Sequence, residues 1–227
     1  MTRFVRAAGF LLAWAVILFA LAAAVYGMAG NGDLLARKML FYAPPENTGL
    51  PEAEYPGVAR MTAAYLTGRE ETFQYVFSDA EGNRFLCFQD HEAAHMADCR
   101  DLIRLDTIVC AVCGTAALLL TACGLRCRDG RRDFLRGTVY GMLGIAGIVL
   151  ILGTWAAVNF NGLFVTFHKV AFRNDGWLLN PRTDLLIRLM PVSFFVRLGL
   201  RGLLRFAAVP AVMAAAVWIG LGKRNEV

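Results

Sequence analysis

Long runs without a charged side chain alternate with polar segments along this chain and predict its architecture. Four such runs lack Asp, Glu, Lys and Arg: residues 7–32, 107–125, 137–167 and 206–222. About 17–25 helical residues cross the roughly 30 Å of hydrocarbon in a bilayer, so each run is near or above the length of a transmembrane helix. The first run is too long for the apolar core of a cleaved signal peptide, which favours a retained span.

The segment between the first two spans is long enough to form a small folded cap. Its "NGDLLARKMLFYAPPEN" stretch predicts a short helix that ends at the two prolines, and "PGVARMTAAYLTGREE" predicts a second, amphipathic helix. Phe73, Tyr75 and Phe77 alternate before the turn sequence "DAEGN", which is a β-hairpin signal. The stretch "HEAAHMADCRDLIRLD" is expected to continue as a helix into the second span. The predicted fold class is an all-α integral membrane protein with four transmembrane helices and a small extracytoplasmic cap that contains a short β-hairpin.

These patterns predict an order of segments along the chain. Apolar residues make up 57% of the 227 residues and charged residues 18%, a composition that a soluble domain rarely has. No nucleic-acid partner is expected. The predicted segments are 1–32 (N-terminal start and first span), 33–104 (cap), 105–125 (second span), 126–136 (basic loop), 137–158 (third span), 159–205 (second outer segment), 206–222 (fourth span) and 223–227 (tail).

The orientation follows from the position of the arginines. Counts of Lys and Arg beside the helix ends are equal on the two sides, so the bare positive-inside rule does not decide. The short loop "RCRDGRRDFLR" holds five arginines, and two more precede the first span. Because short loops and first helices weigh most, both termini are expected in the cytoplasm and the two long segments outside.

The end of the second outer segment has a periodic pattern of arginines. Arg188, Arg197, Arg201 and Arg205 interrupt an apolar run in "LLIRLMPVSFFVRLGLRGLLRF". This pattern is typical of a helix that lies in the membrane interface with its arginines at anionic lipid headgroups. Simple anchoring beside a span explains the pattern equally well.

The string His91-Glu92-Ala93-Ala94-His95 matches the H-E-x-x-H motif of zinc hydrolases. On a helix its histidines lie one turn apart, with Glu92 placed as a base and His168 available as a third ligand. No Asp or Glu lies within a span, which excludes an intramembrane protease with a carboxylate ligand there. Asp98 follows His95 by three residues, so its carboxylate is a candidate to hold that imidazole, or else a solvated helix-end residue. Cys87 and Cys99 bracket the string and are a possible disulfide on the oxidising side.

A second pattern covers far more of the chain. "EAAHMADCRDLI", "AAYLTGRE" and "FHKVAFRNDGWLLNPRTDLLIRLMPVSFF" resemble the family of the lipoprotein intramolecular transacylase, Lit. The resemblance implies that His95 and His168 are a catalytic pair and that the H-E-A-A-H string is coincidental, because His91 is outside the family pattern. Cys99 stands where the family pattern has a small aliphatic residue.

The resemblance also implies the reaction. It moves the sn-2 acyl chain of a diacylglyceryl-modified N-terminal cysteine to the α-amine of that cysteine and yields a lyso-form lipoprotein. An imidazole of ordinary pKa about 6.5 suits the removal of a proton from an amine of pKa about 8. The second imidazole would donate to the leaving oxygen or to the oxyanion, and neither a cofactor nor a metal is implied.

Three residues of the second matched stretch are candidate supporting or substrate-binding residues beside Asp98. Trp177 is expected to act as an interfacial anchor. Asp184 is expected either to pair with Arg188 four residues on, which is favoured, or to orient a catalytic imidazole. The alternatives to a transacylase are a zinc-dependent membrane hydrolase and a non-catalytic membrane assembly or sensor protein.

Overall fold

The computed structural model describes residues 2–79, 81–127, 129–206 and 208–222. Its helices are α1 (Thr2–Ala29), α2 (Gly32–Tyr42), α3 (Pro45–Thr48), α4 (Tyr55–Leu66), α5 (Asp90–Arg126), α6 (Arg131–Ala171), α7 (Leu185–Leu189), α8 (Val192–Phe206) and α9 (Ala208–Gly222). A 3₁₀ turn, Glu52–Glu54, precedes α4. The strands are β1 (Val76–Ser78) and β2 (Arg84–Leu86).

Four stretches are long and apolar enough to cross a membrane: Thr2–Ala29, Asp90–Arg126, Arg131–Ala171 and Val192–Ile219. The predicted fold class, four membrane-spanning helices and a two-stranded hairpin, is confirmed. The helices α5 and α6 extend beyond the charge-free runs 107–125 and 137–167, because helical hydrogen bonding continues through the polar residues at their ends. The membrane boundaries drawn from the sequence stay predictions, and the predicted tail 223–227 lies outside the described residues.

The cap elements follow the sequence pattern closely. The helix predicted before the prolines is α2, and its first turn is capped by the Asn31 side chain, which accepts a hydrogen bond from the Leu34 amide at 2.9 Å. Pro45 also begins the next helix. It occupies the first position of α3, where the missing backbone N–H would have no partner within the helix in any case. The hairpin pairs antiparallel with Phe77 opposite Phe85, and their rings stack.

The chain forms two compact units. The first contains residues 1–24, 107–159 and 202–227, and close packing of α1 against α6 within it depends on glycine: a Cβ on Gly9 or Gly137 would collide with the backbone of the other helix. The second unit contains residues 25–106 and 160–201. Its apolar core includes Tyr55, Val58, Leu189 and Phe194, drawn from both long polar segments. The second unit carries all three histidines.

Candidate active site

The start of α5 is fixed by Glu92, whose carboxylate is fully engaged. Oε2 accepts a hydrogen bond from the Gln89 amide at 2.8 Å, which is the reciprocal half of a capping box. Oε1 accepts from the Leu186 amide at 2.7 Å and so caps the first turn of α7, nearly a hundred residues on. The residue is 1% exposed. Glu92 therefore joins the start of α5 to the start of α7.

Asp184 makes a second connection between the same two regions. Its Oδ2 lies 2.9 Å from Nε2 of His91 and accepts from the Asn180 amide at 2.8 Å, while its Oδ1 accepts from the Thr183 hydroxyl at 2.6 Å. Burial alone would raise the pKa of Asp184, but these hydrogen bonds, from Thr183, His91 and Asn180, outweigh it and hold the pKa below its ordinary value. Asp184 acts as a junction for the loop 180–184.

The pairing predicted between Asp184 and Arg188 is only half right. Arg188 is a partner, but its Nε donates to the backbone carbonyl of Asp184 at 3.2 Å. The carboxylate is occupied by His91, Thr183 and Asn180, whose donors are closer. The alternative, that Asp184 orients a catalytic imidazole, is also wrong for the predicted pair, because the imidazole it binds belongs to His91.

His95 lies one turn beyond His91 in entirely different surroundings. It is 8% exposed, and its Nδ1 is buried without a hydrogen-bond partner among the described residues. Its Nε2 lies 3.6 Å from Sγ of Cys99, the residue one turn further along α5. A buried ring nitrogen without a partner costs about 1–3 kcal/mol, so this position is a candidate for contact with a ligand.

His168 lies beside His95 within an aromatic enclosure. The two imidazole centroids are 6.1 Å apart, and His168 is also 8% exposed. The His168 ring contacts four aromatic rings, those of Phe164, Phe167, Phe172 and Trp177. Because a carbonyl oxygen only accepts, the 2.7 Å contact between Nδ1 of His168 and the Phe164 carbonyl places the proton of the neutral ring on Nδ1. Nε2 then carries the lone pair that is able to take a proton.

Asp98 and Trp177 are connected through the loop that follows α6. Asp98 was a candidate either to hold the His95 imidazole or to be a solvated helix-end residue. In the structure its carboxylate accepts a hydrogen bond from the side-chain NH₂ of Asn174 at 2.9 Å. The Asn174 side chain in turn accepts from the Gly176 amide, next to Trp177. The Trp177 indole lies 5.1 Å from the His168 ring, measured between centroids. Trp177 is therefore part of the histidine enclosure, whereas the sequence favoured an interfacial anchor.

The H-E-A-A-H string is not arranged as a zinc site. His91 is held by Asp184, and Glu92 has both oxygens on backbone amides, so neither is available as the motif requires. Among the residues that the structure describes, no group of three or more His, Cys, Asp and Glu side chains is placed to hold a metal ion. Local capping and loop docking explain the string instead.

The possible disulfide between Cys87 and Cys99 is not formed, because both residues are free thiols. Cys87 directly follows β2 and is buried, and burial raises its pKa to about 11. A thiol of that kind is a poor nucleophile at neutral pH. Cys99 is turned instead toward His95.

The sequence did not lead us to predict the aromatic residues around His168 or the polar side chains that fix the loop 172–184. Phe164 and Phe172 lie four residues before and after His168, a spacing of about one helical turn in each direction that was visible in the sequence. Asn174, Asn180 and Thr183 gave no comparable signal, because their contacts depend on the path of a loop.

The chain is similar to a known protein family and to solved structures. The family model described as lipoprotein intramolecular transacylase Lit matches residues 10–195. The solved structure of the membrane integral lipoprotein intramolecular transacylase Lit from Bacillus cereus is similar over the whole of both chains, with 16% identity and a TM-score of 0.76. A variant of that protein with one histidine replaced by alanine is 18% identical, with a TM-score of 0.73 over 99% of this chain and 97% of that one. No curated protein sequence matches the chain. At this identity the structural likeness shows the fold.

Proposed function

Since the chain belongs to the Lit family of lipoprotein intramolecular transacylases, we propose that it moves the sn-2 acyl chain of a diacylglyceryl-modified N-terminal cysteine to the α-amine of that cysteine. The observation that carries this proposal is the pair of buried imidazoles, His95 and His168, 6.1 Å apart in an apolar enclosure. The substrate is an acyl ester beside an amine, and its rearrangement needs one group that transfers a proton and one that donates a hydrogen bond to the oxyanion, both in a water-poor site.

We assign the general base to Nε2 of His168. The Phe164 carbonyl holds the Nδ1 proton, so the lone pair lies on the opposite nitrogen. The α-amine nitrogen attacks the sn-2 ester carbonyl carbon and gives up one proton to Nε2. The glycerol oxygen then leaves as the carbon–oxygen bond breaks and takes that proton back. The products are an N-terminal amide and a free hydroxyl at sn-2, and His168 returns to its starting state.

His95 is proposed to stabilise the oxyanion formed by this attack. A hydrogen bond from a neutral N–H to a developing negative charge strengthens in apolar surroundings, and such a donor contributes about 10²–10³ in rate. The unpartnered Nδ1 of His95 is the candidate donor. Nucleophile and ester belong to one molecule and close a ring of about eight atoms, so positioning supplies much of the remaining acceleration.

The aromatic rings around His168 have a matching role. Phe164, Phe172 and Trp177 exclude water from the imidazole and offer an apolar surface for the acyl chain. Exclusion of water favours attack by the amine over hydrolysis of the ester. We propose the loop that carries Trp177, fixed through Asn174 and Asp98, as the cover of the site.

The reaction is tested with purified protein and a synthetic diacylated lipopeptide. The transfer does not change mass, so tandem mass spectrometry must locate the chain on the N-terminal amide, where hydroxylamine does not remove it. A crossover experiment mixes one substrate labelled only in the peptide with another labelled only in the acyl chain. Because donor and acceptor are one molecule, each product should carry one label, and no product should carry both labels or neither. Loss of an acyl chain as free fatty acid would contradict the proposal, and crossed labels would contradict its intramolecular form.

We further propose that the second unit, residues 25–106 and 160–201, faces outward from the bacterial cytoplasmic membrane, with both termini of the chain in the cytoplasm. The support is the arginine-rich loop 126–136 at the opposite ends of α5 and α6. Glu81 in the hairpin turn and Asp129 in the loop are both exposed and form a matched pair. Glu81→Cys should react with an impermeant thiol reagent on intact cells above the background of the native cysteines, and Asp129→Cys only after lysis. The reverse pattern would overturn the orientation.

Anionic lipids are the proposed membrane partners of α8. Arg197 and Arg201 are exposed and one turn apart on this helix, whereas Phe194 on it packs into the core of the unit. Cationic side chains on an amphipathic interfacial helix attract anionic headgroups. Activity in phosphatidylglycerol vesicles should exceed activity in phosphatidylcholine vesicles, and Arg197→Gln with Arg201→Gln should remove the difference. An unchanged lipid preference in that double variant would exclude this role.

A further inference from the structure

Cys99 lies against the catalytic-site histidine and has no other assigned role. Its Sγ is 3.6 Å from Nε2 of His95, within the range of a hydrogen bond to sulfur. The residues are four apart on α5, so the helix itself fixes their contact.

The other nitrogen of the same ring gives an independent observation. Nδ1 of His95 is buried and has no hydrogen-bond partner among the described residues. The whole residue is only 8% exposed. A neutral imidazole carries one proton, so whichever group binds Nε2 determines what Nδ1 offers to a ligand. A thiol that donates S–H to Nε2 leaves the proton on Nδ1.

We infer that Cys99 is a positioning residue that donates its thiol proton to Nε2 of His95 and thereby holds the imidazole as the Nδ1–H tautomer. This inference rests on the proposed function. The two imidazoles of the site then have complementary roles: Nδ1 of His95 is a donor for the oxyanion, and Nε2 of His168 is an acceptor for the amine proton. Without a donor at Nε2, His95 would adopt the other tautomer in part and present a lone pair to the oxyanion.

Three variants separate positioning from packing. Cys99→Ser keeps a donor at the same place, Cys99→Ala removes the donor and volume, and Cys99→Val removes the donor but fills the space. Loss of one weak hydrogen bond to the imidazole should lower kcat about fivefold in both Cys99→Ala and Cys99→Val, with KM unchanged. Cys99→Ser should recover most of the lost activity. A purely structural role predicts instead that Cys99→Val is active and Cys99→Ser is impaired.

The tautomer is read directly from the nitrogen chemical shifts of the three histidines in ¹⁵N-histidine-labelled protein, with His91→Gln used for assignment. The wild type and Cys99→Ser should show His95 protonated on Nδ1, and Cys99→Ala should shift the proton toward Nε2. The same His95 tautomer in wild type and Cys99→Ala would overturn the inference, and so would unchanged kcat in Cys99→Ala.

Different results would refute the proposed function and the role of Cys99. Wild-type protein that makes no lyso-form product from the diacylated lipopeptide would refute the proposed function. An active wild type whose tautomer does not respond to the loss of the thiol would refute the role of Cys99 alone.

Discussion

His91 and His95 stand one helical turn apart on α5, and their imidazoles have opposite surroundings. The His91 side chain is 51% exposed, and its ring binds Asp184, which binds Thr183 and Asn180 as well. His95 is buried, and one of its nitrogens has no partner among the described residues. The first region is saturated with hydrogen bonds and fixes a loop. The second retains an unpaired group at a cost in stability, which is what a site prepared for a substrate requires.

The comparison also explains why a short motif misleads. The string H-E-x-x-H specifies two histidines on one helix face but does not specify what faces them. Glu92 finds two backbone amides, His91 finds a carboxylate, and only His95 faces the enclosure that holds His168. Apart from the Gln89 amide, the groups that determine the role of each residue in the string lie about 75 to 95 positions away in sequence, beyond any local pattern.

The largest effect is expected at His168. His168→Gln preserves most of the volume between the aromatic rings but cannot take a proton at neutral pH, so the initial rate of amide formation should fall at least about 100-fold. The rate is followed by tandem mass spectrometry of the lipopeptide, and Tm in detergent should change little. Activity within a few-fold of wild type would erase the distinction drawn between the two regions.

Glu92 should affect stability more than turnover. Glu92→Gln turns one acceptor oxygen into an NH₂ group opposite a backbone N–H, so the free energy of unfolding should fall by about 2 kcal/mol and Tm by several degrees. The control is Glu70→Gln, at an exposed position, which should leave Tm unchanged. Turnover measured well below Tm should be largely retained. Complete loss of turnover at unchanged Tm would assign Glu92 to the chemistry.

Asp184 should make stability depend on pH. Its pKa is depressed in the folded protein, so its contribution is fully present above the unfolded value of about 3.9 and is lost as pH falls through the folded pKa. At pH 7, Asp184→Asn should therefore lower the free energy of unfolding by about 1–3 kcal/mol and lower Tm clearly. The difference in Tm from wild type should shrink in acid. Thermal scans from pH 7 downward measure it. A difference that grows in acid would contradict the assigned sign.

The architecture was accessible from the sequence because it depends on local patterns. Charge-free runs, the two prolines after α2 and the alternation of Phe73, Tyr75 and Phe77 each reflect a physical rule that acts within about 20 residues. The structure brings together His95 and His168, the pair indicated by the matched motifs. Their catalytic role stays a prediction.

The contacts of the supporting residues were harder to predict from the sequence. The spacing of residues along a helix indicates which side chains share a face, but it does not indicate which residues of a distant loop they contact. Asp98 was one candidate to hold His95, and its carboxylate accepts a hydrogen bond from the Asn174 side chain. Arg188 was expected at the Asp184 carboxylate and binds the Asp184 backbone carbonyl. Both contacts involve the loop 172–184, which has little regular structure. The partner of Asp184 is on α5, and no periodicity links the two.

The smallest effect is expected at His91, where it sharpens the comparison most. Because the His91 side chain is half exposed, water replaces much of what its ring supplies, so His91→Ala should lower Tm less than Asp184→Asn and leave turnover close to wild type. In the Asp184→Asn background His91→Ala should have almost no further effect, since its partner is already lost. Thermal scans of the two single variants and the double variant measure this coupling. Turnover in His91→Ala that falls as far as in His168→Gln would mean that the saturated region takes part in the chemistry, and the division between the two histidines of α5 would be wrong.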